Sequence, residues 1–287
     1  MRIVVLGSSG RVGGYLLPHL RSCGHEALGL SRREGDDLHA DLTDFPQVSF
    51  ALNKARPDAI VNLAAQTNID ECEKRPQKAY LANVKIVENL VRWIENNGNS
   101  SHLLQLSTDQ IYDSPGPHRE DDITLKNYYG FSKFAGELVA TKVSGTILRT
   151  NFFGQSRSPG KISFSDWLVD SLTREKMITV FDDVYFSPLS LKTLVELLEM
   201  VILKRQQGTF NLGSRDGVSK ADFAFKLAEV LGYSTGKMSR GGVGTAKLTA
   251  NRAKDMRMDI SSFEKVFKVE LPTLMQEIES LKGVYPS

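Results

Sequence analysis

Short apolar runs alternate along the first half of the chain with longer segments whose apolar positions recur every three or four residues. The runs Arg2–Leu6, Ala27–Leu30, Ala59–Leu63, Leu103–Ser107 and Gly145–Arg149 predict strands. They lack the polar alternation of a half-exposed strand, so they fit a sheet covered on both faces. The periodic segments Val12–Cys23, Phe45–Lys54, Gln77–Asn96 and Tyr128–Thr141 predict helices. The first stops before Gly24 and the third at the turn Asn97-Gly98-Asn99. Strand–helix alternation of this kind means βαβ units and an α/β fold, with a mostly parallel, doubly wound sheet between two helical layers.

Beyond residue 150 the pattern is more mixed. Ser163–Thr173, Leu191–Lys204, Lys220–Leu231 and Leu274–Leu281 read as helices, and Gly208–Leu212 reads as a strand. Gly236–Gly244, rich in Gly and Ser, reads as a loop. There is no repeat and no clear linker. A boundary near 150 is expected, with 151–287 forming mainly a smaller mixed subdomain and some later segments returning to the first domain.

The chain's 287 residues can bury a core without staples. A net charge of +2 argues against a dedicated nucleic-acid binder. Two cysteines, Cys23 and Cys72, make neither a disulfide framework nor a CxxC pair. The histidines at 19, 25, 39, 102 and 118 are read as lacking metal-ligand spacing with a second His or Cys, so no metal is expected. No stretch approaches the roughly 20 apolar residues of a membrane span. The opening MRIVVLG is too short for a signal h-region, and a cytoplasmic location is expected.

Five segments carry candidate chemistry. Gly7-Ser8-Ser9-Gly10-Arg11-Val12-Gly13 follows the first strand and opens the first helix, where a pyrophosphate can sit on the helix N-terminus. Its GxxGxxG spacing also suits a plain tight turn. Leu30-Ser31-Arg32-Arg33 ends the second strand with two arginines where NAD enzymes commonly place an acid, which favours a 2′-phosphate and hence NADP(H) over NAD(H). Glu34, Asp36 and Asp37 follow closely. Asp41, in Asp41-Leu42-Thr43-Asp44, reads either as a contact to adenine or as a helix cap. Ser107-Thr108-Asp109 ends the fourth strand, on the side where open α/β sheets bind ligands, and also fits a turn. Tyr129 and Lys133 stand one helical turn apart on one face. An ammonium beside a phenol lowers the phenol's pKa and suits it to proton transfer with a substrate oxygen.

Taken in order, Gly7, Gly10 and Gly13, then Asp41, Asn62-Leu63-Ala64-Ala65, Thr108, and Tyr129 with Lys133 resemble the extended short-chain dehydrogenase/reductases. A narrower resemblance is to the dTDP-4-dehydrorhamnose reductases. It rests on Val61–Thr67 with Asp70, Glu73, Pro76, Tyr80 and Asn83-Val84, on Ser107-Thr108-Asp109, on Tyr129–Lys133 with Gly136-Glu137, and on Leu148-Arg149-Thr150. It is closest over residues 1–155. The chain departs from that family at Asn151-Phe152-Phe153, where an aromatic, often Trp, follows Arg-Thr. Gln110 stands where sugar-nucleotide dehydratases keep a Glu, which argues against dehydration.

The resemblance implies a Rossmann-like domain over 1–150 that binds NADPH. Its contacts would be Gly7, Ser9, Gly10, Arg11, Val12, Ser31, Arg32, Arg33, Asp41, Leu42, Leu63, Ala64, Ala65, Tyr129 and Lys133. It implies hydride delivery to a 4-keto-6-deoxysugar nucleotide, with Tyr129 as proton donor, Lys133 lowering its pKa, and Thr108 hydrogen-bonding the ketone. Thr67, Asp109, Asn151, Phe152 and Arg252 are substrate candidates. Phe152, Phe153 and Trp167 could line the pocket, and each reads as core more than as pocket. The basic stretch Lys237, Arg240, Lys247, Arg252, Lys254 and Arg257 is a candidate for the substrate's diphosphate, or a solvated loop. The expected partner is a nucleotide sugar, with no nucleic acid or membrane, and a homodimer is compatible. Competing readings are an epimerase or other carbonyl reductase of this fold, or a non-catalytic subunit such as the β subunit of methionine adenosyltransferase, which resembles these reductases.

Overall fold

The computed structural model describes every residue except Glu34, Asn99, Pro159, Lys161, Lys247, Pro286 and Ser287. The strands are β1 (Arg2–Leu6), β2 (Glu26–Ser31), β3 (Leu38–His39), β4 (Ala59–Asn62), β5 (His102–Leu106), β6 (Gly145–Thr150), β7 (Phe152–Phe153), β8 (Ile178–Phe181), β9 (Tyr185–Phe186), β10 (Leu189–Ser190), β11 (Gly208–Leu212), β12 (Val218–Ser219) and β13 (Met238–Gly241). The α-helices are α1 (Gly13–Ser22), α2 (Phe45–Ala55), α3 (Ile69–Lys74), α4 (Pro76–Tyr80), α5 (Ile86–Asn96), α6 (Tyr128–Ala140), α7 (Phe164–Thr173), α8 (Leu191–Lys204), α9 (Lys220–Leu231), α10 (Ser261–Phe267) and α11 (Leu274–Glu279).

Seven strands form the main sheet in the order β11-β6-β5-β4-β1-β2-β3. The pairs β3–β2, β2–β1, β1–β4, β4–β5 and β5–β6 are parallel. The order reverses at β1, and ligands of open α/β sheets bind outside the carboxyl ends of the strands at such a point. Val4, Leu6 and Ile60 of the sheet pack with Val48 and Leu52 of α2 and with Val87, Leu90 and Ile94 of α5. These are the apolar runs and helical stripes of the sequence.

The chain divides into two compact units. The first comprises Met1–Thr108, Asn127–Arg149 and Val195–Phe210; the second comprises Asp109–Lys126, Thr150–Leu194 and Asn211–Ser287. The segment 109–126 therefore groups with the later residues, not with the first 150. Its bonds explain why: Tyr112 Oη donates to Asn211 Oδ1 at 2.7 Å, Gly116 N to Asp255 Oδ2 at 2.9 Å, and His118 N to the Arg257 carbonyl at 2.8 Å. The second unit has its own core, in which the Phe223 ring meets Phe153 and Phe186 edge to face at 4.8 and 5.4 Å. Among the described residues, no helix is long and apolar enough to cross a membrane.

Two expectations are corrected. The helix expected over 77–96 is α4 and α5 joined by a π-helical turn at Leu81–Lys85. That turn presents Asn83 to its neighbours. The Asn83 amide donates to Ser132 Oγ at 2.8 Å and to the Gln66 carbonyl at 3.1 Å, and its Oδ1 accepts from Gln66 N at 2.8 Å. Gly136 of α6 lies so close that a Cβ there would stand 2.3 Å from the Asn83 carbonyl. Inserted turns of this kind mark functional sites more often than chance. The loop expected over 236–244 contains β13, which pairs in parallel with β8. Backbone hydrogen bonds and a 3.0 Å contact between the Thr179 and Ser239 hydroxyls hold it, and neither leaves an apolar period to read.

Candidate functional site

The first part of the site is a backbone cradle in the first unit. Gly7 turns out of β1 with φ +75°, a conformation that favours glycine. A Cβ on Gly7 would stand 2.9 Å from Ala64 N, and one on Gly13 would stand 2.5 Å from the carbonyls of Gly7 and Ser8. Ser9, Gly10 and Arg11 are half-buried around the turn, and Val12 is buried. Gly10 N donates to the Gly7 carbonyl at 2.8 Å. The first turn of α1 has no side-chain cap. Its N–H groups are therefore suited to a phosphate. Leu63, Ala64 and Ala65, half-buried after β4, form the facing wall, with Leu63 N bonded to the Leu6 carbonyl at 3.1 Å. These residues fit a dinucleotide.

At the end of β2, Arg32 and Arg33 are exposed. Asp36 accepts from Ser31 Oγ at 2.5 Å and from Ser8 Oγ at 3.0 Å, so an acid and two arginines share this corner. The sequence reading weighed the arginines and did not place Asp36 on these hydroxyls. Asp41 is not the cap of α2; Asp44 is, accepting from Gln47 N at 3.1 Å. Asp41 instead accepts from Thr43 N at 2.9 Å and Thr43 Oγ1 at 2.8 Å, and the Thr43 N–H holds its carboxyl below the ordinary range. Leu42 packs into the core of the unit.

The second part is the face of α6. Asn127 caps this helix, accepting from Gly130 N at 2.8 Å. Tyr129 and Lys133 are both buried, as is Thr108 just beyond β5. Tyr129 packs with Cys72 and Ala79. Tyr128 is 39% exposed and packs edge to face against Phe131. Lys133 Nζ donates to the Leu106 carbonyl at 2.6 Å. Burial pushes the Lys133 ammonium down to about 8, and Glu137 opposes the shift.

Five residues that sequence reasoning passed over, or quoted without a role, hold this face. Gln105 accepts from Asn62 Nδ2 at 2.8 Å and donates to the Leu106 carbonyl at 3.1 Å. It thereby fixes the same oxygen that accepts the Lys133 hydrogen bond. Glu137 and Arg149 form a buried two-pronged pair, at 3.0 Å to Nε and 2.7 Å to the terminal nitrogen, and Glu137 also accepts from Ser107 Oγ. For Asn62, Gln105 and Arg149, polar side chains inside apolar strands were the available signal.

In the second unit, Asp109 is buried and accepts from Asn151 Nδ2 at 2.6 Å. Both belong to the substrate candidates. Lys220, half-buried at the start of α9, carries charge toward Asp109 and Arg252. Burial lowers its pKa, Asp109 opposes and Arg252 adds to the shift. Its Nζ lies 5.5 Å from the Phe164 ring centre. The sequence reading missed Lys220. Arg252 donates to the Ala250 carbonyl at 2.9 Å. The rest of the basic stretch is largely neutralised: Lys237 pairs with Glu175, Arg240 with Asp222, Lys254 with Asp183 and Arg257 with Asp255. Lys247 lies outside the described residues. Phe152 is half-buried, Phe153 is core, and Trp167 stacks on Phe164 with 39% of its surface exposed. Thr67, in the first unit, is exposed.

Three comparisons extend this picture. A probable low-salt glycan biosynthesis reductase of Haloferax volcanii is 26% identical, over 99% of this chain and 98% of its own. A dTDP-4-dehydrorhamnose reductase of Salmonella typhimurium is 26% identical, over 95% of this chain and 94% of its own. The crystal structure of a dTDP-4-dehydrorhamnose reductase from Bacillus anthracis in complex with NADP has the same fold, with a TM-score of 0.88 over 97% of both chains at 22% identity. The family described as the RmlD substrate binding domain matches residues 1–283, nearly the whole sequence, and the chain belongs to that family.

Proposed function

We propose that the protein is an NADPH-dependent reductase of a nucleotide-linked 4-keto-6-deoxysugar. The observation that carries this reading is the buried set on the first unit: Thr108, Tyr129, and Lys133 with its ammonium fixed on the Leu106 carbonyl. NADPH, held by the cradle from Gly7 to Gly13 and by the Leu63–Ala65 wall, supplies the hydride. Arg32 and Arg33, with Ser31, receive the 2′-phosphate. Asp41 receives the adenine amino group through the carboxylate edge that Thr43 leaves open.

The chain's own chemistry is a proton transfer. The Tyr129 phenol gives its proton to the ketone oxygen as charge develops there, while Thr108 Oγ1 holds that oxygen by a hydrogen bond. The Lys133 ammonium makes the phenol a stronger acid and holds the nicotinamide ribose. The second unit binds the sugar nucleotide, with Asp109, Asn151 and Phe152 on the sugar and with Arg252 and Lys220 on the diphosphate. The absence of a Glu at Gln110 supports reduction over dehydration.

The test follows loss of reduced-nicotinamide absorbance with NADPH and NADH in parallel, using dTDP-4-dehydrorhamnose. Sugar-dependent oxidation is expected, faster with NADPH. Tyr129→Phe should lower kcat by roughly 10²-fold or more, with NADPH affinity held within a few-fold. Binding of NADPH without sugar-dependent oxidation would reject the reading.

A further inference from the structure

The segment His19-Leu20-Arg21-Ser22-Cys23-Gly24-His25 closes α1 at the end opposite the cradle. Ten residues of helix span about 15 Å, so this end is well clear of the glycine turn. His19 and Cys23, four apart, share one face of the helix end. Gly24, with φ +82°, then reverses the chain and returns His25 toward the same place. Opposite stands Glu199 of α8, in the stretch of that helix that belongs to the first unit.

His19 Nε2 lies 2.7 Å from Glu199 Oε2. Cys23 Sγ lies 3.4 Å from the same oxygen and 3.8 Å from His19 Nε2. One nitrogen, one sulfur and one oxygen thus lie within 4.8 Å of one another. Ligand bonds of about 2.0–2.3 Å at tetrahedral angles require donor separations of about 3.4–3.6 Å. The observed separations bracket that range. His19 and Cys23 stand four residues apart, a spacing that the expectation of no metal-ligand pair did not weigh. Glu199 comes from a distant helix that spacing along the chain does not reveal.

We propose that His19, Cys23 and Glu199 form a site for a borderline-soft divalent metal ion, Zn²⁺ or Co²⁺. The mix of thiolate, imidazole and carboxylate selects such an ion over Mg²⁺ or Ca²⁺, which take oxygen ligands. His25 Nε2, 3.2 Å from Glu199 Oε1, orients the carboxylate through its other oxygen, as outer partners of metal ligands do. Cys23 is exposed, so the ion enters from solvent and keeps water in its fourth position. On binding, the Cys23 S–H bond breaks, the sulfur–metal bond forms, and one proton leaves to solvent. The ion ties the end of α1 to α8.

The test is titration of untagged, chelator-treated full-length protein with Co²⁺, read by absorption. One Co²⁺ per chain is expected, with a thiolate-to-metal charge-transfer band and the intense visible bands of a tetrahedral ion. Cys23→Ser should abolish the charge-transfer band, and Glu199→Gln should weaken binding at least about tenfold. Zn²⁺ should displace the Co²⁺ and raise the thermal midpoint of the wild type but not of Cys23→Ser. Cys72 is buried and is no alternative source of the band in folded protein. Near-UV circular dichroism confirms that each variant is folded. Absence of the band, or a titration unchanged by both substitutions in folded protein, would overturn the site and leave the cluster as a set of hydrogen bonds around Glu199.

Discussion

Lys133→Met removes a buried ammonium and leaves a side chain of similar length, so it isolates the electrostatic state of the site. In the folded protein burial lowers the Lys133 pKa to about 8, against an ordinary value of 10.5. The unfolded chain therefore holds a proton that the folded chain has released across that window, and wild-type stability rises with pH through it. Each pH unit is worth about 1.36 kcal/mol, so the full window amounts to about 3 kcal/mol and the rise from pH 7 to 9.5 to about 2 kcal/mol. The comparison is between a protein with Lys133 and one with Lys133→Met. Both proteins carry Tyr129→Phe, which removes the phenol coupled to Lys133, and groups away from position 133 titrate alike and cancel in the difference. The assay is urea unfolding of both at half-unit steps from pH 7 to 9.5, without cofactor. The stability of the protein with Lys133 relative to that with Lys133→Met should climb by about 2 kcal/mol. Loss of the bond to the Leu106 carbonyl offsets the two curves by a constant and does not change the slope. A flat difference would refute the reasoning and mean that Lys133 keeps an ordinary affinity for its proton despite its burial.

Two further outcomes follow from the geometry. Glu137→Gln leaves the Arg149 guanidinium buried without its counter-charge, and stability to urea should fall by about 3–5 kcal/mol; the pair Glu137→Leu with Arg149→Met should recover most of that loss. Gly13→Ala drives a methyl group to within 2.5 Å of two cradle carbonyls, and NADPH affinity measured by nicotinamide fluorescence should fall by at least about tenfold, a loss near 1.4 kcal/mol.

Much of this was legible in the sequence, for reasons that differ by element. The inner strands β1, β4 and β5 are covered on both faces, so their apolar runs announce them. Tyr129 and Lys133 were legible because helix geometry alone puts them on one face. The two-residue strands β7, β9, β10 and β12 are too short to carry a period. Asp109–Lys126 gave no hint of its unit, because what places it is bonds to Asn211, Asp255 and Arg257, far along the chain. Lys220 entered the sequence reading only as the first residue of a helix; only the fold sets it against Asp109 and Arg252. The basic stretch illustrates the converse. Its charge was visible, yet the acids that neutralise it come from Glu175, Asp183 and Asp222, which no local pattern joins to it.

The central claim is net transfer of hydride from NADPH to the sugar. The most direct measurement supplies NADPH deuterated at the transferable position of the nicotinamide together with the 4-keto sugar nucleotide, and reads the product by mass spectrometry and NMR. The account requires one deuterium at C4 of the sugar for each NADPH consumed. A sugar that changes configuration with no deuterium gained and no NADPH consumed would contradict it and identify an epimerase.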